Sequence, residues 1–169
     1  MVTMRETSRS ATSVVASPQG SEAWWFLGTL AIIKVDGNHT GGRFALFETL
    51  LPKEAAPPVH SHPQDETFHM LEGQVTVWID GQPSNCDRGS TVFVPAGVPH
   101  TFFVKSESAR MLILSTPAGI EELVRAASIP ATELRLPDDG VYPDRDAIDA
   151  VMAAHGVKVF GPPPTAGIL

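Results

Sequence analysis

The segment His60-Ser61-His62-Pro63-Gln64-Asp65-Glu66 sets two imidazoles and a carboxylate at offsets 0, +2 and +6. In an extended chain, side chains at even offsets share one face, so all three can converge on a point even with Pro63 bending the backbone. A fourth member, His100, ends the run Pro95-Ala96-Gly97-Val98-Pro99-His100, at the start of a later extended stretch that can return alongside. Three imidazoles and one carboxylate suit a divalent first-row transition metal and leave open positions for water, dioxygen or a substrate oxygen. A lone His-X-His pair says little; the weight comes from Glu66 and His100 standing with it between Gly and Pro turns. The set His60, His62, Glu66 and His100 is therefore read as metal-ligating, for one divalent ion per chain. Mn, Fe, Co, Ni, Cu and Zn all fit such donors, so the metal's identity stays open.

Converging these groups requires short strands and tight turns. Residues 29–35 form a β-branched apolar run closed by Asp36-Gly37-Asn38, a turn signal. Residues 43–50 alternate, with Phe44, Leu46, Glu48 and Leu50 on one face and Ala45, Phe47 and Thr49 on the other. Residues 66–71 and 74–80 flank Glu72-Gly73, and in the second run Val75, Val77 and Ile79 share a face opposite Thr76 and Trp78. Asp80-Gly81 is a hairpin signal, because glycine accepts the positive φ of a tight turn. Runs at 90–94, 101–105 and 110–115 complete roughly eight strands, a number and spacing that predict a sandwich or barrel. Beyond them, Thr116-Pro117 is expected to open a helix with Ile120, Leu123, Val124 and Ala127 on its apolar stripe and a Glu121–Arg125 pair on its surface. A second helix is expected from Asp144 to His155, with Ile148, Val151 and Met152 inward and Gly156 as a left-handed cap. The expected organisation is a flexible tail over 1–20, a β-barrel core over 21–116 and a helical extension over 117–169 packed on the barrel.

Composition narrows the function classes. The chain has 169 residues, one domain's length, and a net charge of −7. An acidic surface repels phosphate backbones and anionic lipid, so neither nucleic acid nor membrane is an expected partner. Fourteen Gly and fifteen Pro suit a turn-rich β protein. A single Cys, Cys86, allows no internal disulfide and no cysteine-based zinc site. No apolar run is long enough to span a bilayer, and the first 20 residues carry no signal-peptide core, so a cytoplasmic location is expected.

At this point the motifs resemble those of single-domain cupins. The family's first motif, G-x5-H-x-H-x3-4-E-x6-G, is matched by His60, His62, Glu66 and Gly73, with Glu54 where the leading Gly would fall. Its second, G-x5-P-x-G-x2-H-x3-N, is matched by Gly89, Pro95, Gly97 and His100, with Val104 at the Asn position. The resemblance extends over about residues 23–163. Trp25-Phe26-Leu27-Gly28, Thr116-Pro117-Ala118-Gly119 and the closing stretch from His155 to Pro163 are similar to bacterial quercetin 2,3-dioxygenase-like proteins. It implies an all-β fold, the cupin double-stranded β-helix or jelly-roll barrel, with short C-terminal helices outside. It also implies dioxygen insertion into a flavonol with ring opening and release of carbon monoxide, the metal-ligating glutamate taking the 3-hydroxyl proton.

The residue chemistry fits that implication. A carboxylate beside both a metal and a bound substrate can serve as general base, which makes Glu66 the catalytic candidate. Phe68 and Met70 share its face by period two, and Phe102 shares that of His100; they are candidates for lining a pocket for a flat apolar substrate, or for plain barrel core. The expected reactants are a small molecule and O2. A non-oxidative isomerase, cyclase or lyase, and a ligand-binding cupin without turnover, are the alternatives.

The remaining histidines read as structural. His69 is expected on the outer face, His39 in a solvated loop, and His155 against a helix C-terminus. Cys86 has no base beside it in sequence to activate its thiol. Trp24 and Trp25 are expected at the pocket mouth or at a subunit interface. An outward Trp78 needs covering, and with it a homodimer is expected.

Overall fold

The computed structural model describes residues 10–17, 20–138 and 145–165. Residues 1–9, 18 and 19 of the expected tail, and Asp144 at the expected start of the second helix, lie outside them. Twelve strands occur among the described residues: β1 (Glu22–Phe26), β2 (Thr29–Val35), β3 (Ala45–Pro52), β4 (Val59–Ser61), β5 (Asp65–Glu72), β6 (Gln74–Ile79), β7 (Gln82–Asp87), β8 (Thr91–Val94), β9 (His100–Val104), β10 (Ser108–Thr116), β11 (Ile129–Pro130) and β12 (Lys158–Gly161). Three helices accompany them: α1 (Gly37–Thr40), α2 (Ile120–Ala126) and α3 (Arg145–Ala154). The strands form two antiparallel sheets, in the orders β11-β1-β2-β3-β10-β5-β8 and β12-β4-β9-β6-β7. The sandwich or barrel expected from the spacing of turns is observed as two packed sheets, in keeping with the all-β jelly roll that the resemblance implies.

The core lies between the sheets. Phe47, Phe68, Met70, Met111 and Ile113 from the larger sheet meet Val75, Val77 and Val104 from the smaller, all nearly inaccessible. The alternation in the sequence drives this, since Ala45, Phe47, Thr49 and Leu51 are buried on β3 while the residues between them are half-exposed. Two turns explain their residue types. Asp80 and Gly81 take φ of 48° and 75°, the double positive φ of a tight hairpin between β6 and β7. Gly73, at φ 83°, has no room for a side chain, because a Cβ would meet Ser106, Ser108 and Ala109.

Several local expectations change. α2 begins at Ile120 rather than Pro117, because β10 continues through Thr116 and Gly119 is the helix N-cap. Glu121 does not pair with Arg125. It turns inward at 2% exposure, where its carboxylate accepts N–H bonds from Gly37 at 2.9 Å and Gly119 at 2.7 Å. Arg125 instead bridges Glu22, Asp36 and Glu122 at 2.7–2.9 Å, tying the helix to β1 and to the cap of α1. His39 belongs to α1, where its Nδ1 lies 2.7 Å from the Asp36 carboxylate that caps the turn. Trp25 is buried with Leu30 and Ile32 and donates its indole N–H to the Arg135 carbonyl at 2.9 Å. Trp24 faces the other way and packs against the main core. Gly156 follows α3 with φ 77°, the expected left-handed cap.

The two departures from the motifs meet in space. Glu54 donates its backbone N–H to the Val104 carbonyl at 3.0 Å, and Val104 donates to Ala55 at 3.1 Å. Glu54 adopts φ 64° there, a left-handed conformation that costs a residue with a Cβ roughly 1–2 kcal/mol. Its side chain is exposed, so Glu54→Gly removes this strain and little else. The expected outcome is a gain of up to about 1 kcal/mol, read as a rise of roughly 2–4 °C in melting temperature by differential scanning calorimetry; a fall in melting temperature contradicts it.

Candidate metal centre

β4 carries His60, the turn after it His62, β5 Glu66, and the first position of β9 His100. His60 and His100 are direct cross-strand partners, so their side chains rise from the same face of the smaller sheet. The loop before His100 is tied to the β4–β5 connection twice. Gly97 donates its N–H to the His62 carbonyl at 2.9 Å, and Ala96 donates to the Asp65 carboxylate at 2.7 Å. These bonds join two stretches of chain that lie far apart in sequence.

The expected convergence is present. One ligand nitrogen from each of His60, His62 and His100 lies within 4.8 Å of the others, and such a cluster can hold a metal ion. Ring centroids are 4.5 Å apart for His60 and His100, 5.1 Å for His62 and His100, and 5.8 Å for His60 and His62. Glu66 Oε2 sits 3.1 Å from His62 Nε2 and accepts its hydrogen bond. His100 Nε2 is 3.3 Å from the same oxygen without hydrogen-bond alignment.

The imidazoles are oriented from behind. His60 donates Nδ1–H to the Pro58 carbonyl at 2.8 Å, and His100 donates Nδ1–H to the Val98 carbonyl at 2.9 Å. Each bond leaves the Nε2 lone pair free to face the cluster, the usual outer support of a metal-ligating histidine. Among the described residues, His100 Nε2 and His62 Nδ1 are buried without hydrogen-bond partners. A buried ring nitrogen left unpaired is costly, and a cation at the convergence point would satisfy His100 Nε2. The donor set thus fits a transition ion on geometry as well as on chemistry.

Sequence reading missed the supports. Both carbonyl acceptors stand two residues before their histidine, as Pro58-Val59-His60 and Val98-Pro99-His100. That spacing could have been noticed, but backbone carbonyls carry no residue-type signal. Asp65 carries no local signal of its partner, Ala96, thirty-one residues away.

The pocket-lining candidates separate. Phe68 is buried, with its ring centroid 6.3 Å from that of His100 and 6.3 Å from that of Phe102, edge to face with the latter. Phe102 is half-buried, whereas Met70, at 1% exposure, is packed in the core two residues further along β5. Two cavities, of about 250 and 220 Å³, are lined by other residues: one by Gln74, Asn85 and Lys105 among others, the other by residues such as Lys34, Glu48 and Arg110. His69 is on the outer side, bonded to Thr91 Oγ1 at 2.8 Å. Cys86 is buried, and that burial pushes its thiol up, away from reactivity.

Residues 46–116 match the Cupin_2 family, the cupin domain. With two antiparallel sheets enclosing a histidine cluster, this part of the chain is a cupin domain. Sequence comparison finds quercetin 2,3-dioxygenase of Bacillus subtilis, 32% identical over 93 residues, which is 54% of this chain and 28% of that protein. Among solved structures, an RmlC-like cupin from Shewanella frigidimarina matches with a TM-score of 0.57 at 18% identity, over 66% of this chain and 96% of that one. The polyketide cyclase RemF from Streptomyces resistomycificus matches with a TM-score of 0.54 at 18% identity, over 82% of this chain and 92% of that one. The chain spans between about a quarter and about half the length of the curated relatives it matches.

Charge in the cluster sets how the metal-free protein responds to pH. Burial, then the neighbouring His100, pushes His60 down to about 4 from its ordinary 6.5. Burial alone would raise Glu66, but the imidazoles of His100 and His62 outweigh it and hold the carboxyl at about 2. His100 is opposed by burial yet raised by Glu66 and the Val98 carbonyl. Below pH 6.5 the unfolded chain protonates at His60 before the folded one does, so stability falls toward pH 4 by on the order of 2–3 kcal/mol. Glu66 adds a second loss as pH falls from about 4.5 to about 2. The contribution of His100 is complete below 6.5 and lost as pH rises through its folded value. Urea midpoints of chelator-treated protein should therefore peak near pH 6.5; a midpoint that climbs from pH 6 to pH 4 contradicts this assignment.

Proposed function

We propose that this chain is a metal-dependent cupin dioxygenase that cleaves a flavonol-like or other enolisable aromatic small molecule with O2. The observation that carries the reading is Glu66, a buried carboxylate held ionised at the convergence of three imidazoles. His60, His62, His100 and Glu66 would hold the ion. A divalent transition ion bound there supplies Lewis acidity toward an enolic hydroxyl and a route for electrons to dioxygen.

The chain's own residues supply the rest. Glu66 Oε2 accepts the hydroxyl proton, and its low value keeps it in the acceptor form throughout the neutral range. The resulting oxyanion is an electron-rich ring, the species that dioxygen attacks. The Pro58 and Val98 carbonyls hold the rings of His60 and His100 in place through the cycle. Phe68 and Phe102 give an apolar wall beside His100 that favours a flat aromatic ring over water. Partial identity to the Bacillus dioxygenase supports this reading over the other cupin chemistries.

Oxygen uptake by metal-loaded protein with a panel of flavonols tests it. Uptake is expected with at least one flavonol, to be abolished by chelation, and to drop roughly 100-fold or more in Glu66→Gln, the scale of a lost general base. Substrate turnover that proceeds equally under strict anaerobiosis would instead identify a non-oxidative isomerase, cyclase or lyase. Tight binding with no product would identify a binding module.

A homodimer goes with this reading. Trp78 is half-buried on the outer side of the smaller sheet, and Phe93 is 57% exposed on the larger one, apolar surface of the kind subunit contacts cover. Light scattering should give twice the chain mass of 18.1 kDa; a monomer at micromolar concentration rejects the dimer.

A further inference from the structure

The register of the smaller sheet places one row of four residues across four strands. Val159 on β12 pairs with His60 on β4, His60 with His100 on β9, and His100 with Ile79 on β6. Direct antiparallel partners share a face, so the two imidazoles are flanked on that face by an apolar side chain at either end. Ile79 is half-buried, whereas Val159 is 63% exposed. Among the described residues, packing leaves this apolar side chain open, one strand from a buried polar cluster.

Access to the cluster comes from the same side. His62, Glu66 and His100 are 4%, 6% and 2% exposed, while His60 is only partly buried. The barrel interior beyond them is filled by Phe68, Met70, Val75 and Val77, each at 3% exposure or less. His60 is thus the most open member of the cluster, and β12 is the strand beside it.

We propose that β12, through Val159, forms the outer wall of the ligand site and selects flat, largely apolar molecules that reach the metal with a single oxygen. This rests on the metal-centre reading above and names the selecting residue. The strand is well placed for such a role. Lys158 and Val159 pair with Ser61 and His60, and Gly156 packs against Pro63, so the segment follows the ligand-bearing strand along its length. A ring lying along the row would contact Val159 and Ile79 at its ends and Phe102, two residues along β9 from His100, at its side. These contacts exclude water and favour planar carbon over a polar or branched substrate.

The test uses full-length protein loaded with Co(II), whose visible bands report ligands entering the metal's open positions. Quercetin is titrated as a flat aromatic probe and azide as a probe that needs only the metal. Val159→Asp places a charge in the proposed wall, and Val159→Ile keeps it apolar and β-branched. Expected is at least a 10-fold weaker quercetin affinity in Val159→Asp and a change within 3-fold in Val159→Ile. Azide affinity, Co(II) content and melting temperature should stay at wild-type values in both. Quercetin affinity unchanged in Val159→Asp overturns the proposal, as does parallel weakening of quercetin and azide, or a wild-type spectrum that quercetin does not move. Wild-type protein that binds quercetin without consuming oxygen defeats the dioxygenase reading and leaves the Val159 wall standing. Protein that takes up no Co(II) overturns both.

Discussion

A carboxylate with almost no access to water has to be neutralised by whatever stands around it, and much of this structure follows from how Glu66 is treated. Among the described residues no lysine or arginine pairs with it. Its near neighbours are the imidazoles of His62 and His100, at 3.1 and 3.3 Å. Desolvating a charge costs several kcal/mol unless partners or a metal compensate, and here the adjacent imidazoles outweigh burial and keep the carboxyl ionised. The unpaired His100 Nε2 beside that same carboxylate marks where positive charge is missing. The three imidazoles converging beside it form a cluster that can hold a metal ion.

Holding four such groups together is a problem of backbone, solved by unusually few bonds. β4 is three residues long and meets β9 through the single pairing of His60 with His100. The loop bonds from Gly97 to His62 and from Ala96 to Asp65 reinforce that pairing on one side, and β12 reinforces it on the other. The ligand strand is thus clamped on both sides by segments that follow it in the chain. The long β3–β10–β5 ladders of the larger sheet carry Glu66, while His60 and His100 stand on the smaller, so the site bridges the two sheets.

α2 is fastened by its buried Ile120, Leu123 and Val124 and by charge as well. Arg125 gathers Glu22, Asp36 and Glu122, and the inward Glu121 closes on backbone N–H groups of Gly37 and Gly119. A buried carboxylate that finds two N–H donors is better satisfied than a surface pair one turn away, which is why the helical i, i+4 partnership gives way. The segment around 129–135 covers Trp25, so this aromatic residue serves the core of the chain and not its mouth.

What the sequence determined by itself was local. Period-two alternation announced β3, β5 and β6, the Asp80-Gly81 pair announced its hairpin, and even offsets announced that His60, His62 and Glu66 could converge. Each depends only on neighbours a few residues apart, whose geometry the covalent chain constrains directly. The tertiary structure decided the rest. β7 is largely polar and β12 is only four residues long, so neither has an apolar alternation to betray it, and each exists because an edge was available to pair with. Whether Met70 faces a ligand or the core, and that Val159 comes to lie beside His60, depend on pairing between stretches far apart in the chain. Such pairing is set by which faces must be buried together, a property of the whole fold and of no single segment.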